Sequence, residues 1–298
     1  MTDPVSMANG RALRGPRRSP ADRVRDRLRS VAGASAARAM PSGYQRMGRV
    51  LLLRLPERYR PYFRLLGRAW QDELGVATVL TRVGPVEGDL RRPRVERIAG
   101  TETETEVVEH GVRWRFDAAR IMFAAGNRTE RRRAGALTRP GETVLDLFAG
   151  IGYFTIPAAR EGPAARVIAV EKNPLAYHYL LENVARNGVV GRVDCLLGEN
   201  RTVPLPARSA DRVFLGLLPD AVPWVARAAD LVRIGGGWLH VHTVADARGA
   251  ADEARRRVEA AAAAAGATVL EPPRVREVKS YGPGRAHVVV DVRVRPAA

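Results

Sequence analysis

Apolar and polar positions divide this chain into two kinds of pattern. The sharper one begins at residue 143. Val144, Leu145, Leu147 and Phe148 form a short apolar run of the kind that fills a buried parallel strand. Gly150 and Gly152 follow, and from Tyr153 the apolar residues Tyr153, Ile156 and Ala159 recur at helical spacing. Apolar runs then alternate with helical stretches. Strands are expected at 143–148, 166–171, 192–197, 211–216, 236–242, 267–275 and 285–294, and helices at 153–160, 174–187, 221–232 and 246–265. That alternation predicts an α/β domain with a doubly wound sheet over residues 136–298. Before it, Val50–Leu53 and Val76–Val83 read as strands, the second ended by Gly84 and Pro85. Tyr62, Leu65, Leu66 and Ala69 mark a helix over 61–74, and 94–99 and 107–116 alternate as strands do. The run 101–106 reads as a polar turn or edge. A smaller N-terminal α+β domain is expected at 43–135. Residues 1–42 carry few large apolar side chains, so a disordered or partly helical basic tail is expected there.

The chemistry concentrates around the glycines. A strand, a tight glycine turn and a helix N-terminus make a ligand cradle in which a Cβ would block approach. The next strand, Arg166–Val170, ends in Glu171, roughly 20 residues past the glycines, where an acid reaches ribose hydroxyls. Phe154 and Thr155 occupy the positions that a pyrophosphate loop gives to glycine. A nucleoside without a diphosphate fits better, which points to S-adenosylmethionine (SAM). Glu171 could instead serve as a helix N-terminal acid. After the third strand, Glu199 and Asn200 can meet an adenine edge. After the fourth, Gly216-Leu-Leu-Pro219 sets a backbone turn beside the expected sulfonium. An arginine cluster at 128–133 can grip a carboxylate or form a solvated helix face.

Composition adds less than its size suggests. The 298 residues carry 49 Lys and Arg against 32 Asp and Glu, a formal charge of +17 that suits a polyanionic partner. Lysine occurs only at Lys172 and Lys279, so 47 of these cations are arginine. That skew resembles GC-rich, actinomycete-like coding and discounts the charge as a sign of RNA binding. The nine arginines of residues 1–40 could touch RNA or be solvated. Cys195 is the only cysteine; internal disulfides are excluded, and Cys195 is expected in the core. The sequence shows no signal peptide, membrane span or metal-ligand cluster, so a cytoplasmic protein with no membrane and no metal partner is expected.

The motifs together resemble the Trm5/TYW2 family of SAM-dependent enzymes. They are Arg82-Val-Gly-Pro-Val-Glu-Gly88, Ile98-Ala-Gly-Thr-Glu-Thr-Glu104, Ile121-Met-Phe-Ala-Ala-Gly-Asn127, the 143–152 loop, Glu171-Lys-Asn-Pro174 and Gly216-Leu-Leu-Pro219. The resemblance spans residues 43–295 and implies a class I, Rossmann-like fold. The Met-Phe-x-x-Gly-Asn and Gly-Leu-Leu-Pro segments look like the TYW2 branch, which moves the 3-amino-3-carboxypropyl group of SAM and releases methylthioadenosine. Methylating relatives carry Asn where Gly216 stands, and the family has serine where Ala124 stands. By resemblance, SAM contacts are expected from Arg131, Asp146, Phe148, Gly150, Gly152, Glu171, Glu199, Asn200, Leu217 and Pro219.

Two acceptors follow from the resemblance. RNA members of the branch modify a tricyclic guanine derivative in tRNA. A bacterial relative, isonocardicin synthase, puts the same group on a phenolic oxygen of a β-lactam antibiotic. With a bacterial composition, a small phenolic acceptor is the leading expectation and tRNA the alternative. A phenol with a pKa near 10 needs a base. Asp220 and His242 are the catalytic candidates, although a strand histidine such as His242 or His240 can also be structural. Plain methyl transfer, and an RNA-binding module without turnover, are the remaining alternatives.

Overall fold

The computed structural model describes residues 18–162 and 164–297, which form two compact units. The first holds the described residues up to Val83 together with Val95–Glu102. Helix α1 (Pro20–Ala39) opens it. Sequence composition predicts a basic tail through residue 42, and the structure corrects this from Pro20 onward. Ser19 caps the helix, its Oγ accepting from Asp22 N at 3.2 Å while Ser19 N donates to Asp22 Oδ2 at 3.1 Å. Ala21, Val24 and Leu28 recur on one face and are buried. The arginines lie on other faces, where Arg23 donates to Glu73 at 2.6 Å and Arg27 to Asp72 at 2.9 Å. A high arginine count therefore hid a short apolar stripe. The part of the expected tail at residues 1–17 lies outside the described residues.

Four strands follow in this unit: β1 (Tyr44–Met47), β2 (Val50–Leu53), β3 (Thr78–Arg82) and β4 (Val95–Ala99), paired in that order. β2 and β3 run parallel, so the chain must cross over between them, and helix α2 (Phe63–Leu74) makes the crossing. Its Leu66, Ala69 and Trp70 pack with Leu51, Leu53 and Val79 in one core.

The second unit holds Gly84–Arg94 and Thr103 onward. Its hairpin, β5 (Glu104–Glu109) and β6 (Val112–Asp117), turns through His110 and Gly111, both at positive φ. The sequence division at 135 assigns this hairpin and α3 (Arg128–Leu137) to the first domain. The structure assigns both to the second. The reason lies in two amides of α5 (Pro174–Arg186) and its C-cap. Asn183 accepts from Arg115 N at 2.7 Å, and Asn187 accepts from Arg113 N at 2.9 Å, each returning a bond to the same residue's carbonyl. Side-chain amides thus satisfy the hairpin edge as a strand would.

The large sheet has the order β12-β14-β11-β10-β7-β8-β9, with β13 on β14. β7 (Thr143–Asp146), β8 (Arg166–Glu171), β9 (Val193–Leu197), β10 (Arg212–Leu215) and β11 (Gly237–Asp246) are parallel, joined by α4 (Thr155–Arg160), α5 and α6 (Val225–Leu231). β14 (Arg285–Arg295) runs antiparallel to β11 along its whole length. This pairing carries β11 to Asp246, so α7 starts later than expected and spans Ala250–Ala264. The expected strand at 267–275 is split into β12 (Thr268–Val269) and the start of β13 (Arg274–Gly282). Strand order reverses between β7 and β10, which places the switch point of the sheet there. Cys195 on β9 is half-buried rather than in the core, and burial pushes its thiol up to about 11. Among the described residues no helix is long and apolar enough to cross a membrane.

Leu28→Ala should cost about 2–5 kcal/mol in denaturant unfolding, the range for a fully buried leucine. An unfolding midpoint equal to that of the parent chain would mean that α1 does not contribute to this core.

Candidate active site

At the carboxyl ends of β7, β8, β9 and β10 lies a cavity of about 160 Å³, walled by the second unit alone. Its floor is the loop after β7. Gly150 has a φ of 57°, and a Cβ there would sit 2.8 Å from the Tyr153 ring. The Gly150 amide donates to Glu171 Oε2 at 2.7 Å, and the Asn173 amide donates to Oε1 at 2.7 Å. The carboxylate thus ties the first βα loop to the second. Burial raises the pKa of Glu171 while the backbone N–H groups oppose the rise. The side chain lines the cavity.

Two amide oxygens mark where a polar ligand group belongs. Asn200 donates to Leu147 O at 2.9 Å, yet its Oδ1 is buried without a partner. Asn127 Oδ1 is likewise buried and unpartnered, and both residues line the cavity. Buried acceptors without donors are costly, so donors from a ligand would satisfy them.

Arg131 is buried and lines the cavity. Its Nε and Nη2 donate to Glu109 Oε2 at 3.0 and 2.5 Å, and its Nη1 donates to Ala124 O at 2.9 Å. The guanidinium lies against Trp114, Phe123 and Tyr153, at 5.4, 4.6 and 5.8 Å from their ring centres. Three of five N–H groups are thus committed inside the protein, and two remain for the cavity. The Ala124 carbonyl is used here although the serine of the family is missing. Gly216 has its own steric reason: a Cβ there would lie 2.7 Å from the Phe154 ring, and both residues line the cavity.

The chain is similar to known proteins over both units. The model of the TRM5/TYW2 methyltransferase domain matches residues 105–270, and that of the TYW2 N-terminal domain matches 24–103. The tRNA(Phe) (4-demethylwyosine(37)-C(7)) aminocarboxypropyltransferase of Pyrococcus horikoshii is 33% identical over 91% of this chain and 96% of its own. The enzyme of the same name from Methanocaldococcus jannaschii is 36% identical over 72% and 85%. Crystal structures agree: P. horikoshii TYW2 in complex with MeSAdo superposes with a TM-score of 0.79 at 31% identity over 92% of this chain and 99% of that one.

The chain belongs to the TRM5/TYW2 family. Its fold is the class I SAM-dependent one, SAM is its co-substrate, and its activity is SAM-dependent aminocarboxypropyl transfer. The two family models meet next to residue 103, where the two units also part.

Of the residues expected at the TYW2-type site, the cavity gathers Arg131, Phe148, Gly150, Glu171, Glu199, Asn200 and Leu217. Three others stand behind its wall. Asp146 is fully buried and accepts from Thr155 N at 3.1 Å and Thr155 Oγ1 at 2.7 Å, so it braces the loop against α4. Burial pushes its pKa up to about 6. Gly152, at φ 103°, turns the chain into that helix where a Cβ would meet Ile156 at 2.6 Å. Pro219 lies past the wall, its carbonyl accepting from Val244 N at 2.8 Å.

Both catalytic candidates also leave the cavity. Asp220 accepts from Thr243 Oγ1 at 2.9 Å and from Val222 N at 3.1 Å, and pairs with Arg257 at 2.5 Å. Its charge is already answered. His242 is buried behind the Phe154 ring, 5.1 Å between centres, and its Nδ1 lies 2.9 Å from His287 Nε2. His240 is structural: Arg212 Nη1 lies 2.7 Å from its Nε2, so Nδ1–H donates to Asp291 at 2.6 Å. Pattern reading missed the segment Asp89, Leu90 and Arg91, which lines the cavity from before β4; Arg91 donates to Leu218 O and Asn173 Nδ2 donates to Leu90 O at 3.4 Å. The Gly84-Pro85 break was its one local signal. Arg120, Asn127 and Lys172 were missed as well. Among the described residues no group of His, Cys, Asp or Glu could hold a metal.

Glu171→Ala should weaken SAM binding by roughly 1.5–3 kcal/mol, the worth of hydrogen bonds to a charged group. Calorimetric titration that returned an unchanged affinity in a folded variant would remove Glu171 from the ribose site. A second prediction concerns acid stability. Burial lowers the pKa of His240, His242 and His287 from the ordinary 6.5, that of His287 to about 4. The unfolded chain then takes up these protons first, so their contribution is complete above pH 6.5 and falls as pH drops toward 4. Asp146 works the other way over nearly the same window, since its folded pKa is raised. Glu130 and Glu171, also raised by burial, oppose the histidines as well, so the histidine share is read by difference, as a decrease in unfolding free energy between pH 6.5 and 4 that a histidine variant lacks. His287→Gln should flatten that decrease; an unaltered slope would mean that His287 titrates normally in the folded state.

Proposed function

We propose that this enzyme transfers the 3-amino-3-carboxypropyl group of SAM to a tricyclic guanosine derivative in tRNA. End-to-end likeness to enzymes named for that acceptor carries the reading: the TYW2 N-terminal domain and the TRM5/TYW2 methyltransferase domain both match, and the P. horikoshii relative is covered over 96% of its length. A phenolic small-metabolite acceptor, the leading expectation from composition, rests on arginine usage and finds no support in these relatives. The charge of +17 regains its ordinary meaning beside a polyanion.

The cavity residues suit this co-substrate. Glu171 would receive the ribose hydroxyls and Asn200 Oδ1 a donor of the adenine. SAM brings a sulfonium with three electrophilic carbons, and choosing among them is a matter of orientation. Attack by the acceptor carbon at the methylene of the amino acid chain forms one C–C bond and breaks one C–S bond. The sulfur keeps the bonding pair, methylthioadenosine departs, and the acceptor carbon loses a proton. The protein's share is geometric: the glycine loop and Glu171 fix the nucleoside, and the apolar walls at Phe148, Phe154 and Leu217 exclude water. Gly216 leaves no side chain where methylating relatives present a polar one.

Incubation with SAM and tRNA carrying the wyosine-pathway guanosine should yield methylthioadenosine, and tRNA association should weaken steeply with added salt. S-adenosylhomocysteine as product would overturn aminocarboxypropyl transfer. Methylthioadenosine formed only with a phenolic β-lactam would overturn the tRNA acceptor.

A further inference from the structure

Lysine is nearly absent from this chain, and one of its two copies, Lys279, reaches the turn that helps to wall the cavity. Lys279 sits on β13 opposite His287. Its side chain reaches the turn that precedes α3: a Cβ placed on Gly126 would lie 2.9 Å from Nζ and 3.0 Å from Cδ. The residues of that turn next to Gly126 include Ala124 and Asn127, both on the cavity wall. Lys279 is half-buried, and among the described residues its ammonium makes no hydrogen bond or ion pair. Burial, and then the nearby Arg131, lower its pKa. Among the described residues no carboxylate answers it: Glu109 is bound to Arg131, Asp291 to Arg133 and His240, and Glu130 to Arg133 and Arg276.

One residue along the turn from Gly126, Asn127 Oδ1 is buried with no donor. An unanswered cation thus stands against Gly126, and an unanswered acceptor lies one residue further along the same turn. Their chemistry is complementary to a zwitterion, a carboxylate for the ammonium of Lys279 and an ammonium for Asn127 Oδ1. Arg131 adds the two N–H groups it has left.

We propose that Lys279 and Asn127 form a zwitterion clamp that holds the α-carboxylate and α-ammonium of the amino acid end of SAM. This rests on the aminocarboxypropyl reading and deepens it. Holding both ends of the chain to be transferred fixes its methylene carbon relative to the acceptor. A lysine suits the place because its compact ammonium turns freely toward one carboxylate, whereas the planar arginine fork would need more room next to Gly126.

The test compares three ligands by calorimetry on the full chain. SAM and S-adenosylhomocysteine carry the amino acid end; methylthioadenosine lacks it. Lys279→Met should lower affinity for SAM and S-adenosylhomocysteine at least tenfold and leave that for methylthioadenosine unchanged. Asn127→Ala should show the same selectivity, and Lys279→Arg should recover part of the loss. Equal weakening of all three ligands would overturn the clamp by making Lys279 a structural residue. Unchanged SAM affinity with lost turnover would overturn it by assigning Lys279 to the acceptor side. Failure of the reading on which it rests is distinguishable: the unaltered protein would then release S-adenosylhomocysteine in place of methylthioadenosine, whatever the binding of the variants.

Discussion

The ion pair of Arg131 with Glu109 is the constraint on which one whole side of the site depends. Both side chains are buried, and neither tolerates loss of the other: an uncompensated buried charge costs about 3–5 kcal/mol. The pair joins the end of β5 to α3, and the rings of Trp114, Phe123 and Tyr153 close around the guanidinium. The same arginine holds the Ala124 carbonyl, and the Tyr153 hydroxyl holds the Met122 carbonyl at 2.7 Å. The stretch from Met122 to Asn127 is thereby set against the glycine loop. Without it, Asn127 would have no fixed direction and the cavity no wall on this side.

Glu171 performs the corresponding task on the other side. Its two oxygens bind one backbone amide from each of two βα loops, so a carboxylate that lines the cavity is also what gives its floor its shape. Asp146 repeats the device one layer deeper, where no ligand reaches. Two acids of similar sequence standing thus divide into one that lines the cavity and one that braces the loop from behind, according to which side of the loop backbone they occupy.

The two parts of the chain differ in how legible they were. The alternation of apolar runs and helical stretches from 143 onward, the GxG turn and the acid at 171 gave the doubly wound sheet and its nucleoside site, because these are local patterns of period and spacing. The motifs then gave the family. Two boundaries were misread because burial there is supplied by partners distant in sequence. The hairpin at 104–117 belongs with α5 through Asn183 and Asn187, and α1 hides Ala21, Val24 and Leu28 beneath an arginine-rich surface.

What the sequence determined by itself was the strand–loop–helix core, the co-substrate and the branch of the family, since each is written in contiguous residues. What only the tertiary structure decided was the roles of side chains. Asp220 and His242 follow the β10 loop and β11 closely enough to suggest catalysis, yet Arg257 and His287, brought from α7 and β14, occupy them. Lys279, silent in any local pattern, comes to Gly126 because β13 pairs with β14 and β14 with β11. A side chain's chemistry depends on whether its charge and hydrogen bonds are answered. In this fold the answering groups come from strands and helices far away along the chain, which no local spacing records.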